Sequence, residues 1–363
     1  MVTTTQNLAE TLRPLVGELM MLFQESAEFQ RQRGNPHAQA VLQEATRMVA
    51  ANSRRLSMDR YVMAMVGLTN VGKSTLLNAL LGGELAPRRN GPCTAAPIEF
   101  CYGDRLQVIA HYTDSFMRQS GYCENVNAVH HYLSQLADDA GAEVARRTRK
   151  VEVFAPVRLL KGGAIIADTP GFGAAQEGDA AGSHEEALKQ YLHREVSQVL
   201  WVVYADNGIG KREKDFHDEF FQDVCHDIVV TGCEEWNQSE RERFRQRFSE
   251  AVDIRLPRFH FVSGLKGLEA RIASDVTGLR QAGIIDLEAR ISELSATAGQ
   301  TSAMVDSLCS LAGDVSFWLR SYRDERRLPL KEWWRPDSWS RWSACMSENV
   351  IKVRLSSQLR DAL

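Results

Sequence analysis

The sequence predicts an α/β fold with a mostly parallel sheet and flanking helices. Three patterns support this prediction. Apolar runs of strand length recur through the middle of the chain, helix-like stretches such as KSTLLNALLG separate several of them, and both ends show helical periodicity. Strands that alternate with helices typically form a parallel sheet that is covered on both faces. We therefore expect one α/β domain over residues 59–285, with helical segments before and after it.

The N-terminal segment, residues 1–58, is predicted to be helical. Apolar residues recur there at spacings of three and four, which places them on one helical face. They are Leu8, Leu12, Leu15, Leu19, Leu22 and Phe23. The sequence Gly34-Asn35-Pro36 should interrupt this pattern, because glycine and proline both disfavour a continuous helix.

The predicted strands follow from residue 61 onward. Each is a short apolar run, and most are separated by polar or helix-like sequence. The runs are YVMAMVGL, IEFCY, LQVIAHY, KVEVFA, AIIADT, VLWVVYA, DIVVT and FHFVS. Together they predict the strands of one sheet.

After residue 285 the predicted strands stop and an apolar seam begins. Its members alternate four and three residues apart, which is typical of a long helix that packs on another helix. They are Leu287, Ile291, Leu294, Ala298, Thr301, Val305, Leu308, Ala312, Val315 and Leu319. A coiled coil and an ordinary bundle helix fit this spacing equally well. We expect a helix over 286–328 and a separate tail over 329–363.

The tail is rich in tryptophan and arginine. Five of the seven Trp residues follow residue 317, and Arg335 and Arg341 lie among them. Three interpretations remain open: a packed core against the neighbouring helices, a protein interface, or a membrane interface.

Composition and charge exclude several classes of protein. The chain has 363 residues, of which 44% are hydrophobic and 25% are charged, which is typical of a globular protein and not of a disordered or collagen-like one. The net charge of -4 argues against nucleic acid as a partner. The seven Cys residues are scattered and form no CxxC pair, so a reducing compartment is expected. The N-terminus does not resemble a signal peptide and no apolar stretch approaches membrane-spanning length, which favours a cytoplasmic protein.

The strongest motif is GLTNVGKST, from Gly67 to Thr75. It matches the phosphate-binding loop GxxxxGK[ST], and it lies between a predicted strand and a predicted helix, as that loop requires. Backbone N–H groups of such a loop surround phosphate oxygens, while the following helix adds its positive end. The residues expected to contact nucleotide are Gly67, Asn70, Val71, Gly72, Lys73, Ser74 and Thr75. Lys73 can reach the β- and γ-phosphates, and Ser74 can bind Mg²⁺.

Two further segments complete the set of residues that are expected to surround the phosphates and Mg²⁺. We call this set the phosphate end. The strand AIIADTPG ends in Asp168, whose carboxylate is expected beside Mg²⁺ through a water molecule, and Gly171 can donate its N–H to a γ-phosphate. Between the motifs lies GPCTAAPIEF, where Thr94 is the candidate for a switch threonine that closes over Mg²⁺. The predicted metal ligands are thus Ser74, Thr94 and Asp168.

Taken together, these motifs resemble those of GTPases of the dynamin superfamily, of the bacterial dynamin-like type. The likeness runs from about Tyr61 to Leu294 and includes GLTNVGKSTLLNALLG, PCTAAPIEFCYGD, ADTPGFG and VLWVVYADNGIGKREKDF. It implies a P-loop GTPase domain that binds GTP and GDP and hydrolyses GTP with Mg²⁺. It also implies a homodimer through the GTPase domains, and a helical neck built from the segments before and after the domain.

The residues that are expected to contact the base, Thr231 to Glu234 together with Ser263, are called the base end. The base end departs from the pattern of this family. Where the family has [NT]KxD, the chain has Thr231-Gly232-Cys233-Glu234. The resemblance places Thr231 and Glu234 at the base, with Ser263 of VSGLKG as the fifth motif. Glu234 can still accept hydrogen bonds from guanine, but Gly232 removes the aliphatic stem that normally covers the base. We therefore expect weaker affinity and weaker guanine selectivity, and use of adenine nucleotides remains open.

Hydrolysis is expected to depend on positioning and on charge neutralisation. The residues expected to carry it are Lys73, Ser74, Thr94 and Asn70. Phe172 stands where Ras-like GTPases have the glutamine that orients water. The resemblance to GTPases that are activated by dimerisation suggests that Asn70 helps to bind K⁺ near the phosphates; the alternative is that Asn70 only shapes the loop.

Three functional hypotheses follow. The first is a dynamin-like GTPase whose cycle is coupled to self-association, to a partner or to a membrane surface, at the inner face of the membrane. The second is a nucleotide-binding regulatory subunit with little hydrolysis. The third, a ribosome-associated or tRNA-modifying GTPase, is disfavoured by the charge. Because the chain leaves little room for a long stalk, it is expected to be either a minimal member of the family or the companion of a second, longer dynamin-like chain.

Overall fold

The computed structural model describes most of the middle of the chain. The described residues are 60–87, 96–112, 118–135, 148–172, 179–206, 208–221, 224–252, 254 and 257–296, with scattered positions between 20 and 50. The chain divides into two compact units, one of Arg60–Ala296 and one of Met1–Asp59 with Thr297–Leu363. The candidate switch residue Thr94 and the whole Trp-rich tail lie outside the described residues.

The larger unit is built on one sheet. In the described part of the chain its strands are β1 (Val62–Val66), β2 (Ile98–Tyr102), β3 (Gln107–Tyr112), β4 (Arg118–Tyr122), β5 (Thr148–Ala155), β6 (Ile165–Asp168), β7 (Gln198–Tyr204), β8 (Cys225–Thr231) and β9 (Arg258–Phe261). They lie in the order β4-β3-β5-β2-β6-β1-β7-β8-β9.

The strands from β6 through β1, β7 and β8 to β9 pair in parallel, as do β2 and β5. The pairs β2–β6, β3–β4 and β3–β5 are antiparallel. The predicted α/β fold with a mostly parallel sheet is therefore confirmed. The strand β4, with the sequence RQSGY, was not predicted, because an edge strand of mainly polar residues carries no apolar run.

Eight α-helices are described. They are α1 (Lys73–Leu81), α2 (Val126–Gln135), α3 (Asp179–Arg194), α4 (Lys211–Phe220), α5 (Gln238–Ala251), α6 (Gly264–Ile272), α7 (Val276–Gln281) and α8 (Ile284–Ser295). A short 3-10 helix spans Arg158–Gly162. None of these helices has both the length and the apolar character that a membrane span needs.

The sheet separates two apolar layers. On β1, Met63 and Met65 face one layer, which contains buried residues of α1, α2, α6, α7 and α8. Ala64 and Val66 face the other, which contains buried residues of α3, α4 and α5. Because the side chains of a strand alternate between faces, a strand that is covered on both sides must be apolar throughout. This explains the uninterrupted apolar run that leads into the phosphate-binding motif.

The C-terminal end of this unit contains the first part of the predicted apolar seam. Leu287, Ile291 and Leu294 of α8 are buried in the core of the unit. The rest of the seam, from Ala298 onward, lies outside the described residues. The predicted neck helix and the boundaries at 58, 285 and 328 stay predictions.

The smaller unit is described only at separate positions. Helical residues lie on both sides of a turn at Gly34, whose N–H donates to the carbonyl of Arg31 at 3.1 Å. Phe23 and Leu42 are buried.

Candidate nucleotide-binding site

The phosphate-binding motif lies between β1 and α1, at the carboxyl end of the central strand. Gly67 follows β1 directly, and Gly72 is the residue before the first turn of α1. No side chain caps that turn and it contains no acidic residue, so the helix presents backbone N–H groups without a competing anion. A helix N-terminus of this kind favours a bound phosphate. Asn70 lies exposed at the tip of the loop with a φ of 65°, a conformation that asparagine tolerates better than most residues.

Lys73 points back into the loop. Its Nζ donates to the carbonyl oxygens of Gly67 at 2.9 Å and Leu68 at 2.7 Å. Burial lowers the pKa of Lys73 to about 8, against the opposing effect of the nearby Asp168 carboxylate. The loop therefore encloses the ammonium group of Lys73 where phosphate oxygens are expected to bind.

Asp168 and Ser74 lie together on the side of the site where the sequence predicts a metal ion. Asp168 ends β6, which pairs with β1, and its Oδ2 accepts a hydrogen bond of 3.0 Å from Ser74 Oγ. Burial raises the pKa of Asp168, although Lys73 and Ser74 both act in the opposite direction. One carboxylate and one hydroxyl so close together suit Mg²⁺, which binds few protein oxygens and takes the rest from phosphate and water. Within the described residues no cluster of three or more His, Cys, Asp or Glu could hold a metal ion.

The segment after Asp168 lies against the phosphate loop. Thr169 Oγ1 donates to the carbonyl of Met65 at 2.7 Å. A Cβ atom built on Gly171 would lie 2.6 Å from Oγ1 and 2.8 Å from the backbone N of Thr69, so only glycine allows this approach. Phe172 then forms a backbone bridge with Leu68.

The side chain of Phe172 is buried in the core. Its ring stacks on that of Phe216 in α4, with the ring centroids 4.3 Å apart and the planes 5° from parallel. The residue after Gly171 thus anchors this segment to a helix, a role that differs from that of a water-orienting glutamine.

The base end is joined to the phosphate loop through Thr231, the last residue of β8. Its Oγ1 contacts the carbonyl oxygen of Val71 at 2.7 Å and that of Val203 at 3.2 Å. Cys233 is buried and its Sγ lies 3.4 Å from the carbonyl oxygen of Val230. Glu234 is exposed at the same edge of the sheet.

The predicted fifth motif follows β9 and supports α1. Ser263 is buried and caps α6, accepting a hydrogen bond of 3.3 Å from the backbone N–H of Lys266. Gly264 packs against the backbone of Leu76 in α1. The structure thus brings Lys73, Ser74 and Asp168 into one cluster, and it places Thr231, Glu234 and Ser263 after the carboxyl ends of the two strands beyond β7.

Sequence reasoning missed one residue at the base end. Tyr204, the last residue of β7, lies with its ring against Gly232. The available signal was a tyrosine that ends an otherwise apolar run, YADN after VLWVV. Such a residue is easily taken for the start of a loop.

A family comparison agrees with this geometry. Residues 63–223, which include the phosphate loop, Asp168 and Gly171, match the model of the dynamin family. Residues 63–223 therefore carry the pattern of the dynamin family. The matched stretch runs from β1 to just before β8, so the base end lies beyond it.

Two curated proteins and one solved structure are similar to this dynamin-like chain. A bacterial dynamin-like protein of Nostoc punctiforme is 31% identical over 127 residues, which cover 33% of this chain and 18% of that protein. The clamp-binding protein CrfC of Escherichia coli strain K12 is 40% identical over 62 residues, 17% of this chain and 8% of that protein. The alignments therefore span less than a fifth of either relative. A solved structure of an oligomerised bacterial dynamin pair has 17% sequence identity and a TM-score of 0.50 over 96% of this chain and 51% of that one, which supports the fold.

Proposed function

We propose that this dynamin-like domain binds GTP with Mg²⁺ and hydrolyses it. The observation that supports this most directly is the cluster of Lys73, Ser74 and Asp168, with Ser74 Oγ 3.0 Å from Asp168 Oδ2. A chain that used this fold only as a scaffold would not need these three side chains together.

Each residue has a role in phosphoryl transfer, which depends on positioning and charge neutralisation. Lys73 would exchange its contacts with loop carbonyls for contacts with the β- and γ-phosphates. The N-terminus of α1 would hold phosphate oxygens through backbone N–H groups. Ser74 and Asp168 would hold Mg²⁺, Asp168 through water, and Thr94 would complete the set. A metal ion held by these residues would neutralise phosphate charge. Gly171 would donate its N–H to the γ-phosphate.

We further propose that nucleotide drives pairing of two GTPase domains, and that K⁺ assists hydrolysis near Asn70. The exposed position of Asn70 at the tip of the loop supports access to a cation, while its left-handed backbone supports the alternative that it only shapes the loop. The similar structure is an oligomerised pair described as sensing and tethering membranes. A homodimer, a second and longer dynamin-like chain, and a membrane surface at the cytoplasmic side are therefore the partners that we propose to test first.

A second candidate function is a regulatory subunit that binds nucleotide with little hydrolysis or with relaxed base selectivity. The sequence Thr231-Gly232-Cys233-Glu234 favours it, because the covering lysine is missing and the acidic residue is one methylene longer than in the family. The complete phosphate end favours the first candidate.

The deciding experiment measures binding and turnover of GTP and ATP side by side. We expect GTP turnover with Mg²⁺ in the wild type, and its loss in Lys73→Ala. Lys161→Ala, which changes an exposed lysine in the 3-10 helix, is the matched control and should behave as the wild type. Nucleotide binding without turnover would favour the regulatory subunit. Equal use of ATP and GTP would overturn the guanine assignment, and turnover that survives in Lys73→Ala would come from a contaminating enzyme.

A further inference from the structure

The position that holds the covering lysine in related GTPases disfavours any side chain here. Gly232 has a φ of 69°, a backbone conformation that side-chain-bearing residues rarely adopt. A Cβ atom built there would lie 2.4 Å from Cε2 and 2.6 Å from Cζ of Tyr204. The ring of Tyr204 therefore occupies the space in which a side chain at 232 would begin.

Backbone hydrogen bonds fix Tyr204 at the carboxyl end of β7, the end of the strand that faces the candidate nucleotide site. Tyr204 ends β7 and is paired in register with Thr231, which ends β8. The N–H of Ala205 donates to the carbonyl of Thr231 at 2.8 Å. Thr231 in turn contacts Val71 of the phosphate loop at 2.7 Å. A continuous set of contacts thus leads from the Tyr204 ring, through Gly232 and Thr231, to the phosphate loop.

Tyr204 is also the exposed member of a buried strand. The six residues of β7 before it are buried, whereas Tyr204 is 36% exposed. An aromatic ring that lies over a glycine and keeps part of its surface open offers an apolar area beside the phosphate loop. Such an area suits the face of a nucleobase, because stacking on an aromatic side chain removes apolar surface from water on both partners.

We propose that Tyr204 contacts the nucleotide base and takes over the covering role of the missing lysine. This inference rests on the proposed function, since it assumes that a nucleotide occupies the phosphate loop. Stacking accepts any base with a π-face. Tyr204 therefore contributes affinity without selecting guanine, and selection is left to Glu234 and to the backbone after β9.

The test separates contact with the base from support of the loop. Binding of GDP and of inorganic tripolyphosphate, which has no base, is measured by calorimetry for the wild type, Tyr204→Ala, Tyr204→Phe and Tyr122→Ala. Tyr122 is the matched control, because it is a 75% exposed tyrosine at the end of the edge strand β4, which five other strands separate from β7. Melting temperatures of all four proteins are measured alongside.

We expect Tyr204→Ala to weaken GDP binding about tenfold to a hundredfold. Its tripolyphosphate binding should stay unchanged, and Tyr204→Phe and Tyr122→Ala should bind GDP within about twofold of the wild type, since ring stacking does not need the hydroxyl. Tyr204→Phe keeps the ring and its packing on Gly232, so it is used if Tyr204→Ala has a lowered melting temperature. A tenfold loss of GDP affinity in Tyr204→Phe would overturn the stacking role.

Three other results would overturn the inference in distinguishable ways. If the wild type binds GDP and Tyr204→Ala binds it equally well, Tyr204 does not contact the base and the proposed function stands. If GDP and tripolyphosphate binding weaken together in Tyr204→Ala, the residue supports the loop instead. A wild type that binds neither compound overturns the proposed function as well.

Discussion

Individual residues of the candidate site have two roles, a contact within the protein and a proposed contact with nucleotide. The hydroxyl of Thr231 contacts the phosphate loop, and Thr231 is also the first residue of the segment that is proposed to recognise the base. Lys73 donates hydrogen bonds to loop carbonyls, which phosphate oxygens would replace in the proposed bound state. Substitutions at such positions will therefore change both the stability of the domain and nucleotide affinity, and the two effects need separate measurements.

Gly171 offers the sharpest prediction at the residue scale. In Gly171→Ala the new Cβ would lie 2.6 Å from Thr69 Oγ1, so the segment after Asp168 must move away from the phosphate loop. We expect GTP turnover to fall by about two orders of magnitude, in line with the cost of misplacing a reacting group by about 1 Å. GDP affinity should change little, because Gly171 is proposed to contact only the third phosphate.

The matched control for this variant is Gly162→Ala. Gly162 lies in the 3-10 helix and a Cβ atom there would meet no atom within 4 Å. Its turnover should equal that of the wild type. Unchanged turnover in Gly171→Ala would show that the close approach of this segment to the loop is not needed for hydrolysis.

Residue patterns predicted the phosphate end better than the base end, for a physical reason. Gly67, Lys73 and Ser74 act within one loop, so their spacing along the chain is itself the signal. Tyr204 meets Gly232 only because two distant segments pair as β7 and β8. A contact made by strand pairing leaves no fixed spacing in the sequence.

At the scale of elements, α8 is joined to the sheet by a buried carboxylate. Asp227 in β8 accepts hydrogen bonds from Arg290 of α8 at 2.9 and 3.0 Å. Gln198 of β7 donates to the same carboxylate at 3.2 Å, and His260 of β9 lies 2.9 Å from it. One side chain thus connects three strands and the last helix of the unit.

This carboxylate predicts a defined loss of stability in acid. Burial opposes ionisation of Asp227, but the hydrogen bonds from His260 and Arg290 outweigh it and lower the pKa to about 2. Because the ordinary value is 3.8, the ionised carboxylate stabilises the folded state above about pH 4, and this contribution is lost as the pH falls to about 2. The contribution is about 2 kcal/mol.

Denaturant unfolding between pH 7 and pH 2 checks this prediction. We expect Asp227→Asn to be less stable than the wild type at pH 7, by about 2 kcal/mol or more. The difference should shrink steadily below pH 4. Asp215→Asn, at an exposed position of α4, is the control and should follow the wild type. A constant difference between Asp227→Asn and the wild type from pH 7 to pH 2 would contradict the assignment.

The strands on the other side of the site hide a second charged group that the sequence did not reveal. Glu99 of β2 is fully buried, and Lys150 of β5 donates to it at 3.1 and 3.2 Å. Arg60 and Tyr191 also donate to this carboxylate, at 2.9 Å each. A glutamate inside the run IEFCY indicates an interruption of an apolar strand, but the sequence does not say which cations would surround it. Their arrangement depends on strand pairing and on the packing of α3.

The apolar seam shows the same limit at the scale of a helix. Its spacing predicted a packed helical face, and Leu287, Ile291 and Leu294 are indeed buried in the larger unit. The spacing of apolar residues predicts which face of a helix is buried, but it does not predict which surface covers that face. The first turns of the seam pack on the GTPase domain, and the partner of the remaining turns stays a prediction.

For the whole molecule, the proposal of paired GTPase domains predicts a dependence on concentration. Turnover per molecule should be slow in dilute protein and should rise as the concentration approaches the dissociation constant of the dimer. It should also rise when K⁺ replaces a large, non-coordinating cation at equal ionic strength, because a bound cation would offset phosphate charge. Initial rates of phosphate release over a wide range of protein concentrations measure both effects.

The dependence on concentration and the dependence on K⁺ can each be contradicted separately. Constant turnover per molecule across the series would count against activation by pairing. Equal rates in the two salts would remove the role proposed for K⁺ and leave Asn70 as a residue that shapes the loop. Neither result would change the α/β fold described above.

The stack of Phe172 on Phe216 has a mechanical consequence for the domain. Phe172 is held between its backbone bridge to Leu68 and the ring in α4, and it is the immediate neighbour of Gly171. If a third phosphate displaced Gly171 and its neighbour together, the two rings would slide apart or α4 would move with them. Because α4 bears exposed charged side chains on its outer face, its displacement would transmit the chemical state of the nucleotide to the surface of the protein.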